Sequence, residues 1–148
     1  MGLSEFFTAI RESAMAYPVI LSIHLSAIAL FGGAILITDL RLLSVALTDC
    51  PASTLIRQLR PWKQVGFVVM AASGILLAGA KAAAYVGNPY FQVKLILLAL
   101  VGVHALVFRR RVYGEAGTST PRAAKLAAYL SLALWLAIVS AGRLIAYY

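Results

Sequence analysis

Four apolar stretches, each close to the roughly 20 residues a helix needs to cross a bilayer's hydrocarbon core, dominate this sequence. They run over about residues 14–38, 65–86, 90–108 and 126–145. None alternates apolar and polar residues as a strand of an outer-membrane barrel would. Backbone amides in lipid must be satisfied within their own segment, so each stretch is expected to be a helix. Only 12% of the residues are charged, against about 25% in an average soluble domain. The expected fold is therefore an all-α membrane protein, a four-transmembrane-helix up-down-up-down bundle forming a single domain over residues 1–148.

The connections sharpen that expectation. Gly87-Asn88-Pro89 reads as a helix stop followed by a proline-led helix start, which makes the second and third spans a tight antiparallel hairpin. A polar turn from Gly114 to Pro121 precedes the fourth span, with Thr120 as its cap and Pro121 at the first helical position. Between the first two spans, Leu55, Ile56 and Leu59 share a face beside Arg57 and Arg60. Residues 52–60 therefore read as a short interfacial helix, ended by Pro61, with Trp62 at the headgroups. Leu3, Phe6, Phe7 and Ile10 likewise mark residues 3–11 as an amphipathic helix lying on the membrane surface. No cleavable signal peptide is expected.

The net charge of +8 invites a nucleic-acid reading. The cations instead cluster between apolar segments, where they orient a membrane protein. One side holds nine, Arg41, Arg57, Arg60, Lys63, Arg109, Arg110, Arg111, Arg122 and Lys125, and the other four, Arg11, Lys81, Lys94 and Arg143. The positive-inside rule then places both termini outside the cytoplasm, in a bacterial inner membrane. Tyr85, Tyr147 and Tyr148 would line the outer interface. The single cysteine, Cys50, rules out an intrachain disulfide and falls in a cytoplasmic, reducing loop.

Only two histidines occur, His24 and His104, both in expected spans. An ionisable group there is costly and faces the bundle interior; imidazole is also a common haem-iron ligand. Each has a plainer reading as a helix-to-helix hydrogen-bonding group. Ala27, Ile28, Phe31 and Gly32 follow His24 on its face and Gly33 comes next; the small residues among them would admit a flat macrocycle or another backbone. In an up-down bundle the two histidines would be diagonal partners. Their depths disagree: counted at 1.5 Å per residue, they are offset by on the order of 15 Å. Lys94 matches His24 in depth better, as a propionate, carboxylate or iron partner, or as a snorkelling interfacial cation. Lys81, Lys94 and Arg143 together would ring an anionic group with positive charge. Asp39 is expected to pair with a nearby arginine. Gly74, Ala78 and Ala82 read as a packing stripe, and Ser73, Ser131 and Ser140 as packing residues. Zinc clusters, nucleophile elbows and phosphate-binding loops are missing from the sequence. Copper handling is disfavoured by three methionines and one cysteine.

The stretch from His24 to Leu43, HLSAIALFGGAILITDLRLL, resembles the first helix of HemJ-type protoporphyrinogen oxidases and of CopD-like membrane domains. The shared positions are His24, Phe31, Gly32, Gly33 and Arg41-Leu42. The third span, VKLILLALVGVHALVF, is similar to the HemJ pattern in Lys94, Leu95 and His104. The resemblance covers about a third of the chain. It implies haem b binding with His24 and Lys94 as key residues. Two departures stand out: Phe31 replaces a tryptophan, and Thr38-Asp39-Leu40-Arg41 replaces a Tyr-Leu-Pro-Arg run. Asp39 to Leu43 and Gly87 to Lys94 also resemble a group of bacterial four-helix membrane proteins with DLRLL and GNP-x-F-x-x-K patterns, which implies the fold but no activity. The expected function is a b-type haem protein passing electrons between a quinone or protein partner and an outer-side donor. His24 would be an axial ligand, with His104, Lys94 or a second copy's His24 opposite. The alternatives are a HemJ-like porphyrinogen oxidase, or a non-enzymatic or copper-handling subunit; homo-oligomers fit any of these.

Overall fold

The computed structural model describes residues 2–112 and 121–147. They form helices α1 (Leu3–Glu12), α2 (Ala16–Leu42), α3 (Ala52–Ala80), α4 (Ala82–Val86), α5 (Pro89–Val112) and α6 (Pro121–Leu144), then a 3₁₀ turn (Ile145–Tyr147). Among the described residues there is no strand. Four helices are long and apolar enough to cross a membrane: α2, α3, Pro89–Val107 of α5 and Arg122–Leu144 of α6. Leu25, Val68, Ile75, Ile96 and Leu136 are each more than half exposed. Large side chains left open on several helices are what lipid-facing surfaces require.

The helix boundaries depart from the sequence pattern in three places. First, α3 continues through Pro61, so residues 52–60 are its opening turns and not a separate interfacial helix. Proline removes one N–H and leaves the carbonyl four residues back unmatched. That carbonyl belongs to Arg57, in the polar stretch before the apolar run, where water or headgroups can satisfy it. Second, α3 stops at Ala80, not near Val86. Lys81 leaves the helical region at φ −119° and ψ 24°, and its carbonyl restarts the chain as α4 by accepting from the Ala84 and Tyr85 amides. Third, α2 runs past Thr38 to Leu42. The turn expected at Gly114 to Thr120 lies outside the described residues, as do Tyr148 and the side chains of Arg109 to Arg111.

The chain divides into two compact units. The first joins Met1–Ala34 with Pro61–Gly87. In it α2 and α3 pack antiparallel through small residues on α3. A Cβ at Gly66 would meet the Phe31 Cβ at 3.0 Å, and one at Gly74 would meet the His24 ring at 3.0 Å. Going seven residues back along α2 advances about two turns along α3. Ala27 on α2 and Ser73, Leu77 and Ala80 on α3 are buried in this unit. The amphipathic helix α1 docks by laying Phe7 on Gly79, where a Cβ would clash with the edge of the ring. Ile10 is buried while Leu3 is 75% exposed, so only half of the amphipathic face is used against protein.

The second unit joins Ile35–Arg60 with Asn88–Tyr148. Here α5 and α6 pack antiparallel, with Ala127, Ala128, Ser131, Ile138 and Ala141 of α6 buried. Asn88 caps α5 as the sequence requires: its Oδ1 accepts from the Tyr90 and Phe91 amides at 3.0 and 3.3 Å, with Pro89 at the first helical position. Thr38 and Asp39 are 2% and 3% exposed. The Arg41 guanidinium donates to the Cys50 carbonyl, closing a loop in which Ser44 and Leu47 take φ values of 61° and 55°.

Candidate functional site

His24 is half-buried on the α3-facing side of α2. Its Nδ1 lies 3.0 Å from Ser73 Oγ, and Ser73 Oγ lies 2.6 Å from the Val69 carbonyl and 3.2 Å from that of Met70. A carbonyl only accepts, so the single hydroxyl proton of Ser73 goes to α3's own backbone. The hydroxyl can then meet His24 only as an acceptor. With the hydroxyl proton so placed, an Nδ1–H on His24 is the tautomer that completes the contact, with the lone pair on Nε2. A hydrogen bond of this kind behind a ligating histidine orients the ring. Gly74, next along α3, is what lets the imidazole lie against the helix.

Ser73 is the residue that the sequence did not single out. It lies 49 positions from His24, and nothing local distinguishes it from Ser131 or Ser140. The hint is its place beside Gly74 on the small-residue stripe. Of that stripe, Gly74 touches His24, whereas Ala82 lies beyond the break in α4.

The second histidine is engaged differently. His104 Nε2 donates to the Ala127 carbonyl of α6 at 3.1 Å, tying α5 to α6. Ligation through that nitrogen requires breaking the tie. Lys94, half-buried on α5, brings its Nζ to Gly142 on α6, 3.4 Å from where a Cβ would stand. Arg143 is exposed; it donates to the Tyr147 hydroxyl at 2.6 Å and stacks 4.9 Å from the centre of that ring. Lys81 belongs to the first unit and holds its Nζ 4.7 Å from the centre of the Tyr17 ring. Tyr85, in α4, hydrogen-bonds with Tyr17. Burial first, then that bond and the neighbouring phenol, push the Tyr85 phenol above its ordinary range, with Lys81 pulling the other way. Of the five sequence candidates, His24 and Lys81 thus belong to the first unit, and Lys94, His104 and Arg143 to the second.

Two open grooves flank these residues. One, of about 360 Å³, runs between Ser22, Ser26 and Leu30 of α2 and Gly66 and Val69 of α3. His24 does not line it, although Ile23 next to it does. The other, about 280 Å³, is bordered by His104, Leu100 and Val107 with Leu130 and Leu134 of α6. Among the described residues no three His, Cys, Asp or Glu side chains gather to cage a metal ion. Haem iron asks less of the protein, one or two axial ligands.

Four apolar spans with ionisable side chains set among them define a multi-pass helical membrane protein. Residues 13–148 match DUF6644, a family of unknown function, and the chain belongs to that family. No curated protein and no solved structure matches it.

Proposed function

We propose that this protein is a b-type haem protein of the bacterial inner membrane that passes electrons between a quinone or protein partner and an outer-side donor. The observation that carries the reading is the hydrogen-bond relay from His24 through Ser73 to the Val69 carbonyl. A His24 that donates from Nδ1 to Ser73 would present its Nε2 lone pair to iron, and a single ordered imidazole suits haem iron, which asks for one or two axial ligands. Haem b, when bound, supplies a one-electron couple. His24 would hold the iron, and cations drawn from Lys81, Lys94 and Arg143 would neutralise propionates. The engagement of His104 Nε2 with Ala127 counts against His104 as the second ligand, leaving Lys94 or the His24 of a second copy. The excess of nine cations over four on one side supports a topology with both termini outside.

A second reading, a HemJ-like porphyrinogen oxidase, draws on Lys94, a half-buried cation lodged at a glycine and suited to a substrate carboxylate. The test common to both is the absorbance spectrum of detergent-purified protein, oxidised and dithionite-reduced, from cells supplied with haem. A b-type α band lost in His24→Ala is expected. A colourless wild type would defeat both readings. Formation of fluorescent porphyrin from added protoporphyrinogen, abolished by Lys94→Ala, would select the second.

A further inference from the structure

The strongest charge imbalance in the molecule lies away from His24. The side of the spans that carries nine cations carries at most three carboxylates, Asp39, Asp49 and Glu115. That leaves an excess of six positive charges, and Asp39 is buried. The second unit holds most of these cations. Arg57 and Arg60 are exposed on the opening turns of α3, and Arg122 and Lys125 are exposed on the first turns of α6. Neither helix has an acidic residue in its first turn. The three consecutive arginines 109–111 close α5. In an up-and-down arrangement of four spans, all these positions come to the same membrane boundary.

The continuity of α3 through Pro61 gives the charges their setting. At 1.5 Å per residue its 29 residues extend about 43 Å, well beyond a hydrocarbon core of roughly 30 Å. The excess length includes Arg57 and Arg60, so these guanidinium groups stand at headgroup level. Leu55, Ile56 and Leu59 on the same turns are half-buried, which turns the charged face away from the protein. A cationic surface at that level, with too few carboxylates in the chain to neutralise it, meets one anionic species by geometry alone: the headgroups of the leaflet it sits in.

We propose that the cation-rich end of the second unit, formed by Arg57, Arg60, Arg122 and Lys125, is a binding surface for anionic phospholipid headgroups, which form a selective lipid shell around the protein. The proposal rests on the four-span reading and is independent of haem. Basic residues at a membrane surface each attract anionic lipid with an energy equivalent to about a fivefold preference at low salt. The attraction fades as the Debye length shortens to about 10 Å at 0.1 M salt.

The test uses the full-length protein in phosphatidylcholine vesicles containing chain-spin-labelled phosphatidylglycerol or phosphatidylcholine. Electron paramagnetic resonance then reads the fraction of lipid immobilised by the protein. The labelled phosphatidylglycerol is expected to associate about fivefold more strongly than phosphatidylcholine at low salt, and the preference should fall with salt. Substituting Arg57→Gln, Arg60→Gln, Arg122→Gln and Lys125→Gln together should bring the ratio close to one. Arg57→Lys with Arg60→Lys and Arg122→Lys keeps the charge and should keep the preference, and Arg11→Gln at the other boundary should leave it unchanged. Circular dichroism on each variant checks that the helices persist. A wild-type ratio near one overturns the proposal, as does a preference that survives the four-residue variant. So does displacement of the labelled lipid by inorganic phosphate beyond that caused by sodium chloride at the same ionic strength, which would make a free anion the ligand. Tighter uptake of a single-stranded oligonucleotide than of the lipid, with the same dependence on the four cations, would assign the surface to nucleic acid instead.

Discussion

At the scale of single residues, the Ser73 hydroxyl decides what His24 can do. An imidazole in a membrane helix can donate from either nitrogen, and the two tautomers differ in which atom is left to ligate. A Ser73 hydroxyl that donates to the Val69 carbonyl favours the Nδ1–H form of His24, and the prediction rests on that form. Ser73→Ala removes the acceptor and leaves the Nδ1 proton seeking another. Loss of the hydrogen-bond partner behind a ligating histidine lowers affinity by about 10- to 100-fold, so the haem content of the purified variant should drop steeply, read by pyridine haemochrome assay. Ser73→Thr keeps the hydroxyl and should restore it. Unchanged haem content in Ser73→Ala would mean that the relay serves packing alone. Tyr85 offers a second reading by pH. Its phenol is held above the ordinary range chiefly by burial, so the folded state favours the neutral form. The sign follows: this contribution to stability is complete below the pKa of an unfolded tyrosine and is lost as pH rises through the folded value. The difference in ultraviolet phenolate absorbance between wild type and Tyr85→Phe should show one phenol ionising later than free tyrosine. An earlier transition would contradict the buried hydrogen bond to Tyr17.

At the scale of helices, what was legible in the sequence is what depends on local composition. The spans, the proline-led start of α5 at Pro89, and the amphipathic face of α1 all follow from residues within a turn or two of one another. What depended on a partner helix was not legible. The continuation of α3 through Pro61 turns on whether the Arg57 carbonyl meets water, and the pairing of His24 with Ser73 turns on the register between α2 and α3. That register is set by contacts no single segment contains, Phe31 on Gly66 and His24 on Gly74. The docking of α1 shows the same dependence. Phe7 occupies the space where Gly79 lacks a side chain, so an amphipathic pattern that suggested only a membrane surface also contains a protein contact. Gly79→Ala places a methyl group against the edge of the Phe7 ring, so the ring must leave its present seat. Overpacking costs about 1–3 kcal/mol where the neighbours cannot give way, and a ring that swings out to avoid it loosens the docking of α1. The amides of residues 3–12 should then exchange hydrogen faster than in wild type by mass spectrometry, while those of α5 and α6 are unaffected. Protection of α1 identical to wild type would show that lipid, and not Gly79, holds the helix.

At the scale of the whole molecule, hydropathy marks the spans and the charge between them supplies a testable direction. Each apolar span is indifferent to which end faces the cytoplasm; the Lys and Arg residues between them are not. Under the proposed topology, with nine such residues at the inner boundary and four at the outer, the loop from Leu43 to Pro51 would face the cytoplasm. That loop contains the chain's single cysteine, Cys50, which is half-buried and unbridged. The native sequence therefore carries its own topology reporter. A membrane-impermeant maleimide should leave Cys50 unlabelled in intact spheroplasts and label it once the membrane is opened or inverted. A Cys50→Ser, Ser4→Cys chain moves the thiol to α1, close to the opposite boundary, and should reverse the pattern. The reversal matters because half-burial alone would slow labelling of Cys50 from either side, whereas only orientation makes the two thiols respond in opposite senses. Labelling of Cys50 in intact spheroplasts, with Ser4→Cys protected, would invert the protein in the membrane. It would turn the cation-rich surface outward and transfer the electron donor assigned to the outer side to the cytoplasm.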